Sequence, residues 1–166
     1  MTLEGPMNAT DSAKLLLTLY ELRTEPALRR ARAWFSFEFN PTSAKDVLDV
    51  WLAPGHESAP YRMVTTYWDM AASLVSQGAL DSRMFNAANT EHFAVYVKLR
   101  PFLAEVRSKT GYPDYMANLE KVVLSHPDAE NRLGVFTRYN QRQATYAAEG
   151  RQAHFLEEAP LDNPAL

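Results

Sequence analysis

Histidine and cysteine are the side chains that most often hold metals or act as nucleophiles, and this sequence uses them sparingly. Cysteine is absent, which removes thiolate ligands, disulfides and thiol catalysis together. The four histidines, His56, His92, His126 and His154, are too far apart in sequence for any two to lie one helical turn from each other. The sequence therefore predicts no metal motif and no cofactor, and it identifies no catalytic residue. A metal site assembled from distant positions stays open.

Phosphate-binding loops and hydrolase motifs are missing as well. The six glycines are scattered singly, so neither a Gly-x-x-x-x-Gly-Lys loop nor a Gly-x-Gly-x-x-Gly turn occurs. No Gly-x-Ser-x-Gly elbow is present either. The common local signatures of nucleotide binding and serine hydrolysis are therefore excluded.

Arginine is the charged residue type whose use stands out, with twelve arginines against five lysines. Its planar guanidinium group can bind an oxyanion through two parallel hydrogen bonds, so an arginine cluster is typical of an anion site. The same side chains also form salt bridges between helices, and this structural interpretation is favoured because acidic residues lie nearby in sequence. The arginines and the acidic residues lie in or next to the first two predicted helices: Arg23, Arg29, Arg30 and Arg32, with Glu21, Glu25 and Glu38.

A ligand site requires several of these groups to meet in one pocket between helices. A deep pocket that holds several of them with shifted pKa values favours such a site, whereas separate salt bridges argue against it. The candidate ligand-binding or anion-binding residues are Arg23, Arg30, Arg32, Glu38, Tyr67 and His92.

These side chains must be positioned by one compact domain, because 166 residues is close to the usual size of a single domain. We expect residues 1–166 to form one helical domain, with residues 1–9 and 159–166 loosely ordered. Met7 is a second candidate for the natural start. The net charge of −3 argues against nucleic acid as a partner. Neither a secretory signal nor a membrane span is found, so the cytoplasm is the expected location.

The hydrophobic spacing predicts an all-α fold, a single-domain bundle of seven to eight helices with αα-hairpins. Pro26 suits the first position of the second helix, where its missing N–H has no partner to lose. Ser43 and Asp46 indicate a capping box at the start of the third helix. Gly78 is predicted to end a helix at positive φ, and Asp81 to cap the next one.

Prolines mark the element boundaries in the second half of the chain. A helix capped by Thr90 is predicted to break at Pro101. Pro113 and Pro127 are predicted to open the last two helices. Residues 35–40 alternate apolar and polar side chains as a strand does, but no comparable second run exists to pair with them. We therefore interpret them as a helix end or an extended connector rather than a strand.

A set of short motifs lies in the middle of the chain: Trp68-Asp69, Leu74-Val75, Gly78-Ala79-Leu80-Asp81, Leu99-Arg100-Pro101-Phe102, Arg107, Tyr112-Pro113-Asp114-Tyr115 and Asn118-Leu119-Glu120. Together they resemble the bacterial helical domains of unknown function that often follow a short membrane anchor. The resemblance implies an all-helical fold and a regulatory or interaction role near a membrane, and it transfers no catalytic activity. Family members often carry Glu at the position of Asp69, and no anchor is apparent in these 166 residues.

The missing catalytic motifs and the abundant aromatic and arginine side chains favour one functional hypothesis. We expect a non-catalytic helical interaction or regulatory module that binds a protein partner or itself as a homo-oligomer. The alternative is a small-ligand-binding protein or an enzyme with an arginine-containing pocket between helices. DNA binding is least favoured, because the helix that follows Gly78 offers only Arg83 as a basic side chain.

Overall fold

The computed structural model describes residues 8–150 of the chain. Within this range every regular element is helical and no residue lies in a β-strand, so the prediction of an all-α fold is confirmed. Of the segment 1–9 that was predicted to be loosely ordered, residues 1–7 lie outside the described residues, whereas Asn8 caps the first helix and Ala9 begins it. The predictions for 159–166 and for a start at Met7 also lie outside the described residues. The α-helices are α1 (Ala9–Thr24), α2 (Pro26–Phe37), α3 (Ala44–Trp51), α4 (Ala59–Ser76), α5 (Ser82–Ala88), α6 (Glu91–Leu99), α7 (Leu103–Thr110), α8 (Ala117–Leu124) and α9 (Ala129–Ala148).

The starts of the first two helices are explained by their local sequence. Asn8 caps α1, since its side-chain oxygen accepts a hydrogen bond of 3.0 Å from the Thr10 N–H. Pro26 is the first residue of α2, as expected. Helix α2 ends at Phe37 and a turn follows. This confirms the interpretation of residues 35–40 as a helix end.

A lysine from a distant helix closes the end of α2. The Lys98 ammonium group donates hydrogen bonds to the carbonyl oxygens of Phe35 at 2.6 Å, Ser36 at 3.0 Å and Phe39 at 2.9 Å. These carbonyls have no partner further along the helix, and a cation is favoured at a helix C-terminus. Lys98 therefore ties α6 to the last turn of α2.

The predicted caps of α3 and α5 are both present. The Ser43 hydroxyl accepts from the Asp46 N–H at 3.2 Å, and the Asp46 carboxylate accepts from the Ser43 N–H at 2.9 Å, which makes a reciprocal capping box. Gly78 follows α4 with φ of +74°, a backbone region that disfavours side chains. Asp81 then accepts from two N–H groups in the first turn of α5, at 3.0 and 2.9 Å.

The predicted break at Pro101 is confirmed, whereas the predicted Thr90 cap is wrong. Pro101 lies in a 3₁₀ turn, Arg100–Phe102, that separates α6 from α7. With α6 and α7 counted as one broken helix, residues 8–150 contain eight helices, which is within the predicted number. Thr90 does precede α6, but its side chain makes no capping hydrogen bond.

The last two helices begin later than their prolines predicted. Helix α8 starts at Ala117 rather than at Pro113, and Met116 just before it has a φ of +57°. A residue in this left-handed region cannot belong to a right-handed helix, so α8 cannot extend back to the proline. Helix α9 starts at Ala129, two residues after Pro127. The fixed φ of proline suits a turn as well as a first helical position, which explains both errors.

Helix α4 runs through the middle of the domain. It packs against α2 and α8, and α9 packs across α6 and α2. No helix among the described residues is long and apolar enough to cross a membrane. Aromatic side chains are prominent among the most deeply buried residues of the core. The largest fully buried side chains are Trp68, Tyr61, Phe85 and Phe93.

Candidate functional site

The carboxylate of Glu91 lies at the centre of a charged cluster that joins three helices. Glu91 is the first residue of α6. Arg23 of α1 donates through Nη2 to Glu91 Oε2 at 3.2 Å. Arg32 of α2 donates through Nε to both carboxylate oxygens, at 2.9 and 3.0 Å, and through Nη2 to Oε2. Two of the predicted site residues thus meet on an acidic residue that was not among the candidates.

Two further side chains form hydrogen bonds to this cluster. Trp68 donates its indole N–H to Glu91 Oε1 at 3.2 Å. Asn89 accepts from Arg23 Nη1 at 3.0 Å. The Arg23 guanidinium carbon lies 5.1 Å from the centroid of the Trp68 ring, within the range of a cation–π contact. The two arginines are therefore held in fixed positions.

The cluster is mostly shielded from water yet remains ionised. The side chains of Arg23, Arg32 and Glu91 are 17, 24 and 19% exposed. Burial raises the pKa of Glu91, but the hydrogen bonds and charge of Arg32 and the charge of Arg23 outweigh it and hold this pKa below its ordinary value. Burial lowers the pKa of Arg32, and Glu91 more than reverses this effect. Two cations against one carboxylate leave a net charge of +1 in the cluster.

Tyr67 and His92, two other candidates, lie behind the cluster in the core. The Tyr67 hydroxyl donates to the Leu19 carbonyl at 2.7 Å, and burial raises its pKa to about 12. His92 is fully buried, with Nε2 at 3.1 Å from Asn86 Oδ1. Burial lowers the pKa of His92 to about 3, so the ring is neutral at pH 7. Both side chains support the site from within.

The remaining two candidates, Arg30 and Glu38, are exposed on α2 and just after it. Neither makes an ion pair with a residue in the range 8–150. The predicted salt bridges between helices do exist, but their acceptor is Glu91 rather than Glu21, Glu25 or Glu38. Glu91, at the start of α6, binds both arginines, whereas Glu38 is exposed.

A surface cavity of about 340 Å³ lies beside the cluster, between the second half of α1 and the first half of α2. Arg29 on its wall makes no ion pair within the described part of the chain, unlike Arg23 and Arg32. The three arginines on the wall and Glu91 together carry a net charge of +2. The lining residues are Tyr20, Arg23, Thr24, Arg29 and Arg32.

The motif residue Asp69 caps a helix that is distant in sequence. Its carboxylate accepts from the Leu119 N–H at 2.9 Å and from Asn118 Nδ2 at 3.0 Å. Both donors lie in the first turn of α8, which has no cap of its own. Asp69 of α4 therefore satisfies N–H groups that would otherwise be unpaired.

A second polar network binds α8 to α6 and α7. Arg107 donates through Nε to the Tyr115 carbonyl at 2.9 Å and through Nη1 to Glu120 Oε1 at 3.1 Å. The Tyr96 hydroxyl donates to the other Glu120 oxygen at 3.2 Å. Several residues that carry the family resemblance thus hold α8 in place. Their hydrogen bonds do not by themselves indicate a chemical activity.

The outer face of α1 is the other surface of interest. Only Ser12 and Leu19 of this helix are buried. Leu17 and Tyr20 lie three residues apart on one face and are 64 and 62% exposed.

Over residues 8–150, no three His, Cys, Asp or Glu side chains lie close enough together to hold a metal ion.

Comparison with known proteins gives one match. A family model described as a domain of unknown function (DUF4760) covers residues 9–125, from the start of α1 to the residue after α8. Helix α9 lies beyond the matched region. No curated protein and no solved structure matches the chain. The match spans more than half of the sequence, so the chain belongs to the DUF4760 family of domains of unknown function.

Proposed function

We propose that this chain is a non-catalytic helical module that binds a protein, and that the partner is a second copy of itself. The observation that carries the proposal is the exposure of Leu17 and Tyr20 on the outer face of α1. Tyrosine is enriched at protein interfaces, because its ring buries a large area while its hydroxyl keeps a hydrogen bond. The free energy falls when another helix covers a surface of this kind, because apolar area is removed from water.

The charges on the same face favour a second copy. Lys14 precedes Leu17 by three residues and Glu21 follows it by four, so all three lie on one side of α1. In an antiparallel pair of α1 helices whose two-fold axis passes between Leu17 and Thr18, Lys14 of each copy lies opposite Glu21 of the other. One face therefore supplies both members of two identical ion pairs, as a symmetric interface requires.

The expected affinity is low. Surface ion pairs contribute only about 0–1 kcal/mol each, and they set the orientation more than the strength of binding. Lys14 also has a local partner, Asp11 at 3.6 Å, which lessens its gain from a second copy. Two exposed apolar side chains per copy form a small contact, so we expect a dissociation constant of about 0.1–1 mM.

Sedimentation velocity between about 10 µM and 1 mM protein tests the proposal. We expect the sedimentation coefficient to rise with concentration for the natural chain and to stay at the monomer value for Leu17→Asp. Leu52→Asp is the matched control, because Leu52 is 63% exposed but lies at the end of α3. Lys14→Glu and Glu21→Lys should each weaken association, and the double variant should restore it. A natural chain that stays monomeric throughout, or a double variant that fails to recover, contradicts the proposal.

A further inference from the structure

We propose that the cavity between α1 and α2 binds the phosphate group of a small molecule as a dianion. The cavity holds about 340 Å³, which is near the lower end of the range for small-ligand sites. Arginine side chains from two helices form most of its wall. The site shares Tyr20 with the face of α1 that carries Leu17, so it is tested on a chain that does not self-associate.

The charge of the site is unbalanced. Glu91 neutralises one of the two arginines that it binds, and Arg29 adds a further positive charge without an acidic partner among residues 8–150. The Glu91 carboxylate already accepts from Arg23, Arg32 and Trp68, so it has little capacity left for Arg29. A ligand with two negative charges would bring the net charge of the site to zero.

Hydrogen-bond donors remain for such a ligand. Each guanidinium group has five N–H bonds, and the bonds to Glu91, to Asn89 and to the Arg23 carbonyl leave some of them free. Neither the Arg29 guanidinium group nor the Tyr20 hydroxyl makes a hydrogen bond to any residue between 8 and 150. Guanidinium groups match the geometry of phosphate oxygens and bind them with two parallel bonds.

The cluster also lowers the entropic penalty of binding. Arg32 is fixed by Glu91 and by the Arg23 carbonyl, which accepts from its Nη1 at 3.3 Å. Arg23 is fixed by Glu91 and Asn89. Because these two side chains are already ordered, a ligand has to order only Arg29 and Tyr20.

The neighbouring residues Arg29 and Arg30 provide a matched pair of variants. Both are exposed on α2 and carry the same charge, but only Arg29 lines the cavity. Arg29→Gln and Arg30→Gln change the net charge of the chain equally. General electrostatic attraction therefore predicts equal losses of affinity, whereas a site in the cavity predicts a loss for Arg29→Gln alone.

The test is a titration with inorganic phosphate, and separately with phenyl phosphate, followed by ¹H–¹⁵N NMR at about 0.15 M ionic strength. The Leu17→Asp chain serves as background, so that loss of self-association does not affect the result. We expect saturable shifts for residues of α1 and α2, a dissociation constant weakened about tenfold by Arg29→Gln, and one changed less than about twofold by Arg30→Gln. Tighter binding of phenyl phosphate assigns the site to an organic phosphate, and equal binding assigns it to free phosphate. Absence of saturation for both probes, or equal effects of the two variants, overturns the proposal.

Discussion

Replacement of Glu91 by glutamine is the sharpest perturbation of the charged cluster. The substitution keeps the shape of the side chain and one oxygen but removes the negative charge. Arg23 and Arg32 then face each other without a counter-charge, and one of the former acceptor positions becomes an NH₂ group. Since Glu91 is 19% exposed, water can offset only part of this loss.

The expected destabilisation follows from this burial. Removal of one partner from a buried ion pair lowers stability by about 3–5 kcal/mol. Partial exposure of the arginines, at 17 and 24%, reduces this figure, so we expect about 2–4 kcal/mol for Glu91→Gln. Arg23→Gln and Arg32→Gln should each have a smaller effect, because Glu91 keeps one cation in either variant.

Urea unfolding followed by circular dichroism measures this difference. A domain of this size has a slope of about 1.5–2 kcal/mol per molar urea, so the midpoint should fall by about 1–3 M for Glu91→Gln. Glu38→Gln is the control, since Glu38 is exposed and makes no ion pair with another described residue, and its midpoint should hardly move. A midpoint for Glu91→Gln within about 0.3 M of the natural chain would refute the reasoning.

Three further outcomes follow from single residues. Asp69→Ala should lower stability by about 1–2 kcal/mol in urea unfolding, because α8 loses its cap; an unchanged midpoint would count against that role. The pKa of His92 is about 3 in the folded state, below its ordinary value of 6.5. Between these two pH values the imidazole is therefore protonated in the unfolded state but not in the folded state. Stability should therefore fall by up to about 1.4 kcal/mol per pH unit as pH drops from 6.5 toward 3, and His92→Phe should flatten this slope. Gly78→Ala should lower the melting temperature because of its positive φ, whereas Gly134→Ala, inside α9, should raise it; equal effects would contradict this account.

Local chemistry made much of the fold predictable. A capping box such as that of Ser43 and Asp46 involves residues three apart, and a glycine at positive φ, such as Gly78, is required by its own backbone. These features follow from the nearest neighbours in sequence. The start of α8 was not predictable in this way, because its cap, Asp69, lies 50 residues away from the Leu119 N–H that it binds.

The candidate site was predictable only in part for the same reason. Arg23 and Arg32 were identified by residue type, but Glu91 lies 68 and 59 residues away from them, and only the packing of α6 brings it near. The sequence could have indicated Arg29 rather than Arg30 as a candidate ligand-binding residue. Positions three apart share a helix face, so Arg29 lies beside Arg32, whereas Arg30 lies about 200° around the helix from it.

The geometry of the second copy on α1 is the central claim, and a distance measurement tests it most directly. Because the sequence has no cysteine, Thr18→Cys or Asp11→Cys carries a single spin label. At about 1 mM protein, an antiparallel pair predicts a backbone separation between copies of about 10 Å at residue 18 and about 20 Å at residue 11. Dipolar broadening in electron paramagnetic resonance should therefore be strong for Thr18→Cys and weak for Asp11→Cys. Equal broadening at both positions, or none at either, would contradict the account.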